Sequence, residues 1–262
     1  MIGAHLDAAA DATVVSTVMP AGTDVSRYLV VQADGGRVRS VDYKPDSPTG
    51  RCVGTEVFAY RPAALAEQLH DLHRDGELGD YGERLLPRLV TDGVVADFRH
   101  DGHWRDLGTP TAYLDGQLEL LRKRSPFRLD DPAWPILTSM PVRGPAIVRR
   151  TASLDRAALA PAADVAGEVV NSVVGPGVVI ERGARVRHSV LMDDVVVRAG
   201  ATVARSVVAE GSVIGRRAVL GAPNAVHPVL VGSHRRIPAD TVLPAGSELE
   251  PRRPRDLIRG TR

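Results

Sequence analysis

Apolar and polar positions alternate differently in the two halves of this chain. From Ala12 to Met19 a short apolar run reads as a strand. Arg27 to Lys44 reads as a hairpin, two β-rich arms joined by Asp34-Gly35-Gly36, where glycine supplies the positive φ that a tight turn needs. Arg51 to Tyr60 is a further strand. Pro62 opens a helix that carries Leu65, Leu69 and Leu72 at helical spacing. Residues 80–93 read as a helix bent or broken at Pro87 and ended by Gly93. Residues 94–108 give a strand, a turn at Asp101-Gly102 and a second short strand, and Thr109 with Pro110 caps a last helix. Strands and helices in this order predict a layered sheet-and-helix domain over residues 1–125.

Residues 126–168 are rich in proline around Ser125–Ala146 and lack a helical period, so they read as a linker. From about Val169 the period becomes six. Every sixth position from Val178 through Ala184, Val190, Val196 and Thr202 to Leu220 is apolar or small, and glycines recur at Gly175, Gly177, Gly183, Gly200, Gly211 and Gly215. Short β-branched runs between glycine corners predict a hexapeptide β-helix over 169–250, with the six-spaced residues pointing inward. A plain β-sandwich is the alternative. Residues 251–262 form an Arg-rich tail, read as solvated.

Composition narrows the classes. The 262 residues carry a formal net charge of +1, which gives no overall case for nucleic acid or an anionic membrane. No apolar run is long enough to span a bilayer. The single cysteine, Cys52, excludes an internal disulfide and fits a reducing cytoplasm. Of 33 basic residues only Lys44 and Lys123 are lysines. In so Arg-heavy a chain, a lysine marks a place where a compact point charge serves better than a planar fork. His70 with His73, and His100 with His103, lack a third metal ligand at a recognisable spacing.

Three stretches occur in order: Asp42-Tyr43-Lys44-Pro45, His103-Trp104-Arg105-Asp106-Leu107-Gly108-Thr109, and Trp134-Pro135-Ile136-Leu137-Thr138 ahead of the six-residue repeats. Together they resemble the sugar-1-phosphate nucleotidyltransferases, and the Trp-Pro-Ile element narrows the likeness to glucose-1-phosphate adenylyltransferase. The resemblance implies a partial nucleotidyltransferase domain with a Rossmann-like mixed sheet, then a left-handed parallel β-helix. It also implies a glycogen-synthesis context in which ATP and glucose-1-phosphate give ADP-glucose and pyrophosphate. Lys44 matches the lysine that holds the sugar phosphate, and Asp106 matches a Mg²⁺ ligand. Gly54, Asp80, Tyr81 and Trp104 match positions around the sugar. Left to the residues alone, Lys44 reads equally as a solvated strand-end charge, Asp106 as a salt-bridge partner and Trp104 as core.

The chain departs from the family pattern too. The Gly-Gly-x-Gly-Thr-Arg-Leu loop that wraps the triphosphate, and the second metal aspartate, have no counterpart in these residues. Tyr43 replaces a glutamate, Cys52 a serine and Glu56 a tyrosine of the sugar pocket. The expectation is the C-terminal part of such an enzyme, inactive alone, forming homo- or hetero-oligomers through the β-helix. A non-catalytic regulatory or assembly subunit is the alternative. A hexapeptide acyltransferase would find a histidine in His188, but the order of the elements argues against it.

Overall fold

The computed structural model describes residues 1–127, 129, 131–138 and 142–252. The chain divides into two compact units, Met1–Trp104 and Arg105–Arg262. Of the predicted tail, residues 253–262 lie outside the described residues.

The first unit is a mixed five-stranded sheet with helices. After α1 (Ile2–Asp7) come β1 (Ala12–Val18), β2 (Leu29–Asp34), β3 (Arg37–Tyr43), β4 (Cys52–Tyr60) and, after two helices, β5 (Val95–Arg99). β1 pairs antiparallel with β4 and parallel with β5. The order β1-β4-β2-β3-β5 closes on itself because β3 meets β5 at Arg37 and Ala96. The hairpin forms as predicted: Gly35 and Gly36 turn at φ 57° and 76° between Asp34 and Arg37. α2 (Pro62–Arg74) buries Leu72 against the sheet, whereas Leu69 faces solvent. Residues 81–85 form one π-helical turn, and α3 (Leu86–Asp92) follows with Pro87 in its first turn. The helical run thus changes from π to α beside Pro87, where proline has no N–H to continue the wider turn's pairing. Leu86 and Leu89 join Ala12, Val14, Leu29 and Val31 in the core.

The second strand expected around Asp106 does not form; residues 100–108 run between β5 and the next helix without sheet pairing. Side chains satisfy the local N–H groups there. Asp106 Oδ1 accepts from Gly108 N–H at 2.7 Å, and Thr109 Oγ1 caps α4 (Pro110–Glu119) by accepting from Ala112 N–H at 3.2 Å.

The second unit holds α4 and a parallel β-helix of short strands from β6 (Ile147–Val148) to β21 (Glu248–Leu249). Within the stretch read as a linker, β6, β7 (Ser153–Leu159) and β8 (Asp164–Val165) already stack on the coil. The six-residue period hides them because no glycine lies between Gly144 and Gly167 and because Val165 aligns with Ile180 at a step of fifteen residues. Through the next coils the step is seventeen, Val179 pairing with Val196, Val196 with Val213 and Val186 with Val203, before it widens where Val213 pairs with Arg236 and Val219 with Val242. Three sides of six would need eighteen, so one side is a residue short.

That missing residue corrects the inward register. Val178 and Ala184 are buried as predicted, but Val196 and Thr202 are half-buried, and their neighbours Val195, Val197, Ala201 and Val203 fill the core. Val190 is buried, yet Leu191 beside it is the residue of that pair that packs in the coil core. The six-residue frame regains the interior at Val208, Ile214 and Leu220 as the second inward residue of each side. The short side starts at a buried serine ladder. Ser189 N–H donates to Ser172 Oγ at 3.1 Å, and Ser206 N–H donates to Ser189 Oγ at 3.1 Å. The hydroxyls of Ser172, Ser189 and Ser206 donate in turn to the carbonyls of Val170, Arg187 and Ala204. Serine oxygen thus takes over pairing that a tighter corner denies the backbone. α4 packs on β9 (Glu168–Val174) and β15 (Ser206–Val208), which flank the strand holding Val190.

Candidate functional site

Lys44, Asp80 and Tyr81 gather in the first unit around an aromatic cluster. Lys44 follows β3 in a left-handed conformation, φ 48°, and its N–H donates to Tyr28 O at 3.0 Å. Its Nζ lies 4.4 Å from the centroid of the Tyr43 ring, a cation–π distance. The Tyr43 hydroxyl and the charges of Asp80 and Glu56 hold the Lys44 ammonium above the usual lysine range. It therefore keeps its proton at neutral pH.

Asp80 stands at the start of the π-helical turn. Its Oδ1 accepts from Gly82 N–H at 3.1 Å and its Oδ2 from the Tyr43 hydroxyl at 2.9 Å. Those two donors hold its carboxyl below the ordinary aspartate range. Tyr81 donates its hydroxyl to Glu56 at 3.2 Å, and burial, followed by the Glu56 charge, pushes its phenol up. Glu56 reaches that position because β4 bulges opposite β1 between the Val14–Phe58 and Ser16–Gly54 pairs, leaving Glu56 left-handed at φ 61°. The Tyr81 ring meets Tyr43 and Phe58 edge-on at 5.8 and 5.3 Å between centroids. Gly82 is required here: a Cβ at that position would overlap the Tyr43 ring.

Gly54 and Trp104 belong to the packing of the same unit. Gly54 is buried, and a Cβ on it would press Leu29 Cδ2 at 3.0 Å. Trp104 meets Tyr28 edge-on at 5.8 Å and packs with Val25, Val30 and Val53. Asp106 belongs to the other unit. It is half-buried, with one oxygen engaged by Gly108. Among the described residues, no group of three or more His, Cys, Asp or Glu could hold a metal ion. Mg²⁺ takes only one or two carboxylates and completes its shell with phosphate oxygens and water, so Asp106 fits as one member of a set that substrate would complete.

A second polar cluster escaped the sequence reading. Arg156, Asn171, His188 and Arg205 line a cavity of about 460 Å³ in the second unit, together with residues of α4. The signal was present as Asn171-Ser172-Val173, His188-Ser189-Val190 and Arg205-Ser206-Val207, three x-Ser-Val triplets seventeen residues apart. A search at period six passes over them.

Residues 1–123 match the family model described as nucleotidyl transferase, and residues 142–247 match the one described as GMPPB C-terminal domain. The chain is similar to the glucose-1-phosphate adenylyltransferases of Thermotoga maritima, Acetivibrio thermocellus and Streptomyces coelicolor. Identity to the first is 31% over 191 residues, covering 71% of this chain and 45% of that protein. For the second it is 29% over 189 residues, covering 71% and 44%. For the third it is 30% over 210 residues, covering 72% and 53%. The chain thus spans about half the length of the curated relatives it matches. Among the described residues no helix is long and apolar enough to cross a membrane.

Proposed function

Because the chain belongs to the nucleotidyl transferase family, we propose that it carries the sugar-phosphate side of adenylyl transfer from ATP to glucose-1-phosphate. In that reaction a phosphate oxygen of the sugar phosphate attacks the α-phosphorus, and pyrophosphate leaves. The protein contributes alignment and charge, not covalent chemistry. Lys44 binds the sugar phosphate, and Asp80 with the Tyr43, Phe58 and Tyr81 rings orients the sugar. Asp106 would hold Mg²⁺, which when bound neutralises phosphate charge. The observation that carries this reading is the convergence of Lys44, Asp80 and Tyr81, three positions distant in sequence, on one aromatic cluster. The nucleotide loop of the family pattern is not among these residues, so no pyrophosphate release is expected from the 262-residue chain alone.

A second reading, a non-catalytic subunit that assembles through its β-helix, draws on a different observation. The hydroxyls of Tyr43 and Tyr81 already occupy Asp80 and Glu56, so each carboxylate of the cluster has an internal donor. Isothermal titration of the purified chain with glucose-1-phosphate separates the two. Saturable binding that Lys44→Gln weakens about tenfold, the loss of one charge-assisted contact, is expected from the first reading. Absence of binding favours the second.

A further inference from the structure

The segment leading into α4 is clamped to that helix by the two residues that flank Asp106. Arg105 donates through Nη1 to Glu119 at 2.9 Å. Leu107 lies against Gly116: a Cβ on that glycine would stand 2.7 Å from Leu107 Cδ2 and 3.5 Å from Arg105 Cδ. Between these anchors Asp106 Oδ1 accepts from Gly108 N–H at 2.7 Å, and Thr109 then caps the helix. The residues on both sides of the Asp106 carboxylate are thus held by α4, and one of its oxygens by the turn that enters it.

Both anchors are poor choices for the helix itself. Gly116 lies inside α4 and is buried, and an interior glycine weakens a helix relative to alanine. What it provides is room for the close approach of Leu107 and Arg105. Glu119 is buried too, its side chain 10% exposed, and a buried carboxylate is costly unless it is paired. Arg105 and Arg122 pair with it at 2.9 and 3.1 Å. Arg122 is 66% exposed and only three residues away, whereas Arg105, fourteen residues before Glu119, is 31% exposed and closes the clamp. The helix is tied to the coil by a different residue, Asp115, which reaches Arg205 at 3.1 Å. Two unfavourable residues of α4 therefore converge on the neighbours of one carboxylate.

We propose that Gly116 and Glu119 are positioning residues for Asp106: they hold Leu107 and Arg105 against α4, so that the carboxylate between them meets a divalent cation in one fixed place. The inference rests on the reading of Asp106 as the side chain that holds Mg²⁺. Mg²⁺ demands near-ideal octahedral geometry and tolerates a misplaced ligand poorly. Groups that orient a ligating carboxylate without touching the metal typically change its affinity by about ten- to a hundredfold. Gly116 and Glu119 act in this way, through Leu107 and Arg105.

The test is titration of the purified chain with Mn²⁺ in the presence of inorganic pyrophosphate, read by water-proton relaxation. Mn²⁺ takes the same oxygen ligands as Mg²⁺, and pyrophosphate supplies the phosphate oxygens that complete the shell. Saturable binding is expected from the wild type, and Asp106→Asn should remove it. Glu119→Gln and Gly116→Ala should each weaken it about tenfold with Asp106 intact. Alanine at 116 favours the helix itself, so a loss of Mn²⁺ affinity there reports the displaced Leu107 and not a weaker α4. Arg122→Gln removes the exposed partner of Glu119 and leaves the Arg105 clamp in place, so it should bind as the wild type does. If Glu119→Gln fails to fold by circular dichroism, Arg105→Gln takes its place, and Arg105→Lys, which keeps a charge opposite Glu119, should weaken binding less. Wild-type affinity in the folded Glu119 and Gly116 variants, with binding lost in Asp106→Asn, overturns this proposal and leaves the metal reading standing. Equal weakening by Arg122→Gln also overturns it. No binding by the wild type, or full binding by Asp106→Asn, overturns the metal reading and this proposal with it.

Discussion

The polar clusters of the two units differ in their hydrogen-bond accounting. Around Tyr43 and Tyr81 the carboxylates already have donors: Asp80 takes Gly82 N–H and the Tyr43 hydroxyl, and Glu56 takes the Tyr81 hydroxyl. At the corner of Arg156, His188 and Arg205 two buried atoms have none. The scaffolds beneath them explain how each arrangement persists. The first cluster is built on a bulge, a π-helical turn and interlocked rings, so its side chains are free to settle against one another. The second is built on a coil whose register is fixed by stacked inward residues at every turn, and its side chains cannot collapse together without moving that register. A rigid scaffold can keep polar atoms unpaired that a softer one would pair internally.

The sharpest way to break this comparison is to attack the coil's register. Val197 is fully buried in the stack with Ile180 and Ile214, whereas Val196 next to it is half-buried. Val197→Asp should place an unpaired carboxylate in the core at a cost of several kcal/mol, about 3 or more, and melt the coil. Val196→Asp should cost about 1 kcal/mol or less. Thermal denaturation followed by far-UV circular dichroism measures both. Equal losses would mean that the inward residues have been misassigned and that the corner is not held as described.

A smaller effect is expected in the first unit. Gly82→Ala forces a Cβ into the Tyr43 ring, and the ring must leave its place beside Tyr81 and Asp80. Overpacking of this kind costs about 1–3 kcal/mol. Near-UV circular dichroism should register the loss of the tyrosine pair more strongly than the melting temperature does. An unchanged tyrosine signal would show that the cluster is looser than its contacts imply.

Much of this architecture is legible in the sequence, and the misses share a cause. The hairpin at Gly35-Gly36 and the helix capped by Thr109 follow from local chemistry, so they are found where expected. Lys44, Asp80 and Tyr81 come from the resemblance, and the geometry then groups them while assigning Gly54 and Trp104 to packing. What the residues alone did not disclose depends on counting across turns. A step of seventeen differs from three sixes by one residue, and that difference moves Val196 and Thr202 out of the core and builds the serine ladder. The early strands β6 to β8 escape for the same reason, since β7 and β8 meet the next coil at a step of fifteen and no glycine lies between Gly144 and Gly167 to mark a rhythm. Asp106 was expected on a strand, but short-range Asx and capping bonds satisfy that segment instead.

The smallest effect separates the two clusters by pH. His188 sits below its ordinary value of 6.5 in the folded chain, through burial first and then the arginines around it. Above pH 6.5 both folded and unfolded chains hold it neutral, and its contribution to stability is complete. As pH falls through 6.5 the unfolded chain takes up a proton that the folded one resists, so stability declines until the folded value is passed. Asp80 behaves differently: its carboxyl is held below 3.8, so its contribution persists well below neutrality and is lost only as pH falls through that lower value. The charged groups lining the cavity with His188 are Arg156 and Arg205 from the coil, with Arg187 close by, and Asp115 from α4 with Arg105 before it and Arg122 after it. Melting temperatures of wild type and His188→Gln, taken in phosphate-free buffer from about pH 7.5 to 5.5, should converge as pH falls, because only the wild type loses this contribution. A slope identical in both proteins would mean that His188 is as well solvated as the tyrosine cluster, and the contrast between the two units would fail at its most specific point.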